Sequence, residues 1–153
     1  MSELKEGQKA PEFTSTDQNG AAVSLSQFTE KKVVLYFYPK DDTPGCTAEA
    51  CDFRDNYQGL TAKGIVVLGV SVDDEKSHQK FVTKHSLPFT LVADTDKKIV
   101  EAYGVWVEKN MYGKKYMGIA RKTFLINEQG IITHIIEKVD TKNATAQVLE
   151  LLK

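Results

Sequence analysis

Cysteine is scarce in this sequence: two among 153 residues, Cys46 and Cys51. Two are too few for a disulfide framework in a chain this long, so the thiols are left for a chemical use. Charge of one sign is lacking too. Twenty basic against twenty-one acidic residues leave a formal charge of -1, which argues against a nucleic-acid backbone or an anionic membrane as the main partner. No run approaches the roughly 18 apolar residues of a membrane span. The opening MSELKEGQKAPEF carries Glu3 and Glu6 and no apolar segment, so it does not read as a secretory signal. A reducing, cytoplasmic setting follows as the expectation. Repeats, low-complexity tracts and Pro/Gly/Ser-rich linkers are absent as well, which predicts one domain over 1–153.

What is present alternates. EFTSTDQNGAAVSL carries Asn19-Gly20 between two short candidate strands, a hairpin signal. KKVVLYFYP (31–39) and IVVLGVSVD (65–73) are compact β-branched and aromatic runs that read as buried strands. Between them, Ala50, Phe53, Tyr57 and Leu60 recur at helical spacing, predicting one helix from Gly45 to about Ala62, stopped by Gly64. A helix over 73–86 opened by aspartates, a short strand at Phe89–Ala93, a helix around Lys97–Tyr103, a hairpin about Glu128-Gln129-Gly130 and a terminal helix ATAQVLELLK complete the pattern. Strands alternating with helices and ending in a hairpin predict an α/β domain with a central mixed sheet. The cysteines then fall at the C-terminal end of a central strand, where open α/β sheets place their sites.

Local geometry separates the two thiols. Thr43 precedes Pro44 and is pushed toward extended backbone, while Pro44 suits the first helical position. With Thr43 as N-cap, Cys46 is the third helical residue, where free N–H groups and the positive end of the helix favour a thiolate over a thiol. Cys51 lies five residues on, a rise of about 7.5 Å and a turn of about 140° in a regular helix, or roughly 8–9 Å between Cα atoms. A disulfide requires no more than about 7 Å. The thiols cannot bond while the helix is intact, which argues against a permanent staple. A metal clip is disfavoured because no second Cys or His pair stands at the usual spacing.

Pro39-Lys-Asp-Asp-Thr43-Pro-Gly-Cys46 resembles the PxxxTxxC motif of peroxiredoxins, thiol peroxidases of thioredoxin-like fold, and Glu49 matches that family too. The C-x4-C spacing is similar to the bacterioferritin comigratory protein (peroxiredoxin Q) subfamily. GVWVEKNMYGKKYMGIARKTFLI (104–126) is similar to the segment that carries the family's active-site arginine, here Arg121, and the likeness runs from KAPEF through SLSQF to TFLINEQG. The resemblance implies that Cys46 is the peroxidatic cysteine, oxidised to a sulfenic acid by hydrogen peroxide or an organic hydroperoxide. Arg121, Thr43 and the N–H groups of Gly45 and Cys46 would bind the peroxide, with Pro39 shielding the pocket and Glu49 orienting Arg121. Cys51 would resolve the sulfenic acid as an intramolecular disulfide after the helix opens, and a thioredoxin-type dithiol would reduce it. The resemblance further implies an antioxidant enzyme acting as a monomer, with no metal, flavin or nicotinamide. As an N-cap, the Thr43 hydroxyl is expected to accept a backbone N–H and turn its own hydrogen toward the peroxide.

The main competitor, a disulfide-shuffling oxidoreductase, would call for C-x-x-C, which is missing. A non-enzymatic holdase or redox sensor is a third reading. Other features read as ordinary structure. His78 and His85, two helical turns apart, are expected to be partly exposed packing residues rather than metal ligands. His134 is expected on the solvent side of its strand, KNMYGKKYM (109–117) as a solvated loop, and Trp106 as core or pocket wall.

Overall fold

The computed structural model describes residues 4–152; Glu3 and the last residue of the expected terminal helix lie outside them. β1 (Thr14–Thr16) and β2 (Ala22–Ser24) form the expected N-terminal hairpin. Asp17 closes its loop by accepting the Asn19 and Ala21 N–H groups, and Gly20 takes the positive φ of 76° that the turn requires. β3 (Lys32–Phe37), β4 (Ile65–Ser71) and β5 (Thr90–Ala93) are parallel neighbours. β8 (Lys122–Ile126) runs antiparallel to β3 and carries β9 (Ile132–Ile136) outside it. The sheet has seven strands in the order β2-β1-β5-β4-β3-β8-β9, mixed as expected.

Strands buried on both faces explain the unbroken apolar runs. Along β3 the side chains alternate: Val33, Leu35 and Phe37 enter one core cluster, Val34 and Tyr36 the other, and Tyr38 continues the second just past the strand. The first cluster is closed by Ile99 and Val100 of α4 (Lys98–Ala102) together with Phe124 and the N-terminal segment. The second is closed by Ala50 and Phe53 of α1 (Pro44–Asp55), Leu60 of α2 (Tyr57–Ala62), Phe81 of α3 (Glu75–His85) and Val148 of α5 (Ala144–Leu151). Helices thus flank both faces of the sheet. Asp52, one residue beyond Cys51, accepts the Thr145 N–H at 2.8 Å, so a side chain of α1 caps the start of α5.

Two expectations need correction. The single helix over Gly45–Ala62 breaks at Asn56, whose side chain donates to the Asp52 carbonyl at 2.8 Å and whose backbone leaves helical values (φ -111°, ψ 7°). Asparagine's ability to satisfy a backbone carbonyl from its own side chain competes with helix continuation. The 109–117 segment is no loop either. β6 (Trp106–Met111) and β7 (Lys114–Ile119) form a separate two-stranded hairpin, turned by Tyr112 and Gly113, both at positive φ (53° and 83°). That geometry is the tight hairpin turn ordinarily signalled by Asn-Gly, and tyrosine in its place conceals the signal.

Among the described residues no helix is long and apolar enough to cross a membrane. Gly69 of β4 stands opposite Tyr36 of β3. A Cβ there would meet Leu91 Cδ2 at 2.8 Å and the Tyr36 ring and hydroxyl at 2.9 Å. Gly69→Ala is therefore expected to destabilise the protein by about 1–3 kcal/mol through overpacking, measured by urea unfolding. An unchanged midpoint would show that this contact between strands is soft.

Candidate active site

β3 ends beside the loop that leads into α1, and the loop's chemistry starts that helix. Thr43 is extended (φ -95°, ψ 157°) as a residue before proline must be, and Pro44 occupies the first helical turn. The first intrahelical bond runs from the Thr47 N–H to the Thr43 carbonyl at 2.8 Å. The N–H groups of Gly45 and Cys46 precede it and are among those that a helix start leaves without an intrahelical acceptor. Cys46 is almost wholly buried at this positive end, within the core cluster that also holds Tyr36, Ala50 and Phe53.

Arg121 arrives from the short connection between β7 and β8. Its Nη2 donates to Cys46 Sγ at 3.3 Å and its Nη1 to Glu49 Oε1 at 2.7 Å. Cys46 and Glu49 are three apart on α1 and so share a face, which lets one planar fork engage both. Gly45 makes room for it, since a Cβ at that position would lie 3.2 Å from Arg121 Nη2. Burial opposes the charge on Arg121, but Cys46 and Glu49 outweigh it and raise the guanidinium's pKa further. Lys109 of β6 is a second cation in this field; partial burial and then Arg121 lower its pKa, while Cys46 raises it.

Glu49 is 0% exposed, and here burial wins over pairing. Although Arg121 lies at 2.7 Å, desolvation pushes the carboxyl up to about 7. Only one of its oxygens is satisfied. Glu49 Oε2 and the Tyr36 hydroxyl are the buried side-chain polar atoms without a hydrogen-bond partner among the described residues. Tyr36 is also fully buried, and its phenol is pushed well up by burial and then by Glu49 and Cys46.

The residues singled out from the sequence gather at this end of the sheet. Cys46, Glu49 and Arg121 are in direct contact, Gly45 lies against Arg121, and Pro39 and Thr43 lie half-buried in the adjoining loop. Cys51 is half-buried further along the same helix; both thiols are free and α1 is continuous between them. The Thr43 hydroxyl departs from expectation. It makes no cap bond and instead donates to the Lys40 carbonyl at 2.9 Å, because the loop folds back beneath it as a turn.

His78 also departs from expectation. It is fully buried, with Nδ1 2.7 Å from Asp41 Oδ2 and Nε2 3.0 Å from the Val92 carbonyl. His85 and His134 are half-buried, and Trp106 packs at the edge of the first core cluster. Sequence reading missed Asp41 and Tyr36, whose roles depend on burial that no local pattern announces. A cavity of about 320 Å³ between the N-terminal segment and β8 is lined by none of the active-site residues.

Comparison with known proteins bears on the family of the chain. Residues 6–135 match the model of the AhpC/TSA family. The chain is 53% identical over 146 residues to a putative peroxiredoxin Bcp of Coxiella burnetii, covering 95% of this chain and 97% of that protein. It is 48% identical to peroxiredoxin Bcp of Bacillus subtilis, covering 96% and 94%. A cysteine-to-serine mutant of PrxQ from Xylella fastidiosa superposes with a TM-score of 0.93 at 33% identity, covering 99% of this chain and 97% of that one. Peroxiredoxin Q of Xanthomonas campestris, also solved as a cysteine mutant, superposes with a TM-score of 0.86 at 38% identity, covering 92% and 89%.

The Glu49 environment yields a stability test. Burial raises the folded-state carboxyl from its ordinary 4.5 to about 7, so the folded protein holds that proton more tightly than the unfolded chain. The contribution is complete below about pH 4.5 and is lost as pH rises through about 7. Glu49→Gln is neutral throughout, so wild type is expected to lose stability relative to it between about pH 5 and pH 8, as read by urea unfolding. Parallel pH profiles would mean that Glu49 ionises in the fold at no cost.

Proposed function

Because this chain belongs to the AhpC/TSA family, among its Bcp and peroxiredoxin Q members, it is a peroxiredoxin of thioredoxin-like fold, and we propose that it carries out thiol peroxidation through Cys46 and Cys51. The observation that carries this reading is the guanidinium of Arg121 donating to a buried Cys46 Sγ at 3.3 Å. A thiolate there gains a charge-assisted hydrogen bond and the field of a helix start, in a site from which water is largely excluded. The substrate class is hydrogen peroxide and organic hydroperoxides.

In the first step the Cys46 thiolate attacks the terminal oxygen of the hydroperoxide. An S–O bond forms as the O–O bond breaks, Cys46 becomes a sulfenic acid, and the departing alkoxide or hydroxide takes up a proton. Arg121, which faces the sulfur, stabilises the charge that moves onto the oxygens, and the N–H groups of Gly45 and Cys46 add donors nearby. Glu49 holds the other arm of the fork, so the guanidinium plane is fixed before the peroxide arrives. Thr43 supplies a hydroxyl at the mouth, turning from the Lys40 carbonyl to the peroxide, and Pro39 walls the loop side.

In the second step the Cys51 sulfur attacks the sulfenic sulfur, water leaves, and a Cys46–Cys51 disulfide forms. An ideal helix keeps the two Cα atoms roughly 8–9 Å apart, beyond the reach of about 7 Å for a disulfide, so the first turns of α1 must unwind. A thioredoxin-type dithiol then restores both thiols by exchange. Resolution within one chain suits a monomer, and dependence on such a reductant suits the cytoplasm.

Cys46→Ser is expected to abolish peroxide reduction. Cys51→Ser should consume about one peroxide per chain and then stall in thioredoxin-coupled turnover; sustained turnover would remove Cys51 from the resolving role. Arg121→Ala should slow oxidation by roughly 10²–10³-fold in stopped-flow mixing with hydrogen peroxide. Wild-type oxidation no faster than that of free cysteine would sink the mechanism as a whole.

A further inference from the structure

The proposed chemistry leaves one buried polar cluster without a role. Asp41, in the loop between Pro39 and Thr43, is engaged from four directions. The Tyr38 hydroxyl donates to its Oδ1 at 2.6 Å and the Ser77 hydroxyl to its Oδ2 at 2.8 Å. His78 Nδ1 lies 2.7 Å from the same Oδ2, and the Asp41 N–H donates to Asp73 Oδ2 at 2.8 Å. Asp73 Oδ2 also accepts the Ser71 hydroxyl at 2.7 Å. Asp41, Asp73 and His78 stand close enough to hold a cation by spacing alone. Their atoms are joined to one another and to protein donors by hydrogen bonds, and together they brace the loop.

The proton count at His78 is fixed by its neighbours. A carbonyl only accepts, so Nε2, 3.0 Å from the Val92 oxygen, carries hydrogen. One further proton lies between Nδ1 and Asp41 Oδ2. Either placement makes an imidazole–carboxyl bond buried away from water, with no unsatisfied member. His78 thus ties β5, through Val92, to the active-site loop, through Asp41. The next residue, Asp42, has the left-handed φ of 59° and is tied to the end of α3 by Lys84 at 2.8 Å and His85 at 3.1 Å. Beyond it, the Thr43 hydroxyl donates to the Lys40 carbonyl of this same loop. Where the loop backbone sits decides where the Thr43 hydroxyl sits.

We propose that His78, acting through Asp41, is a positioning residue that sets the 39–43 loop and with it the Thr43 hydroxyl for peroxide reduction. The inference rests on the reading of Cys46 and Thr43 given above. It separates two properties of the site. The field at Cys46 comes from Arg121 and the helix start, whereas the alignment of the hydroxyl at the mouth comes from α3. Loss of the brace should therefore slow reaction with peroxide without making Cys46 less nucleophilic toward a reagent that needs no alignment.

The test uses the reduced full chain in a Cys51→Ser background, so that Cys46 is the sole thiol. The second-order rate constant for hydrogen peroxide and the rate of alkylation by iodoacetamide are measured side by side for His78→Leu, with Thr43→Val as reference and thermal unfolding as a check on folding. The expected result for His78→Leu is a fall of about 10–100-fold in the peroxide rate, with alkylation within about twofold of the parent. Loss of thermal stability with both rates unchanged would make His78 purely structural and overturn the proposal. A parallel fall in both rates would overturn it too, because the whole site would then have been disturbed. If His78→Leu does not fold, Asp41→Ser combined with His78→Leu removes both members of the pair, leaves no lone buried carboxyl, and is read by the same criteria. A Thr43→Val rate equal to the parent would bring down the role of Thr43 and the proposal together. A slow Thr43→Val beside a normal His78→Leu would bring down the proposal alone.

Discussion

One guanidinium organises this site. Arg121 divides its fork between Cys46 and Glu49, two side chains on the same face of α1, and so locks a residue between β7 and β8 to a helix far back in the chain. The arrangement is tense in charge terms. A thiolate and a carboxylate would share one cation in a buried setting, and burial has already pushed Glu49 up to about 7. Cys46 Sγ and Glu49 Oε1 therefore draw on the same positive charge.

The surrounding fold brings these groups together. The strand β3, buried on both faces, fixes where α1 begins, and Pro44 fixes how. Cys46 is placed in the first helical turn, the part of a helix that opens most readily, and Cys51 in the turn after it. In the proposed cycle, static packing holds the reduced site and the helix end lets it open and close. Both follow from placing the two thiols on one element and not on two.

Much of this is legible in the residue order, and the physical reasons are specific. Asn19-Gly20 and the apolar runs of β3 and β4 signal their elements locally. Thr43-Pro44 states the helix start, and the C-x4-C spacing states that the thiols are apart at rest. Arg121 is different: nothing in its own neighbourhood marks it, and only the likeness of the surrounding segment to a family motif brings it forward. His78, on a helix rich in lysine, looks like a surface residue, because its burial depends on Asp41, thirty-seven residues away. The break at Asn56 and the hairpin at Tyr112-Gly113 depend on one side chain's choice of partner and on a tyrosine accepting positive φ. Neither changes the hydrophobic period, so neither registers in it.

The carboxylate of Asp52 has a further consequence, in the time domain. It holds α1 to α5 immediately after Cys51, while Asp41 holds the chain shortly before Thr43. Whatever unwinds in the proposed cycle is confined to about ten residues between two fixed points. A loop of that length closes in roughly 10–100 ns and a helical turn propagates in nanoseconds. Rewinding should therefore be far quicker than any encounter with a reductant at cellular concentration.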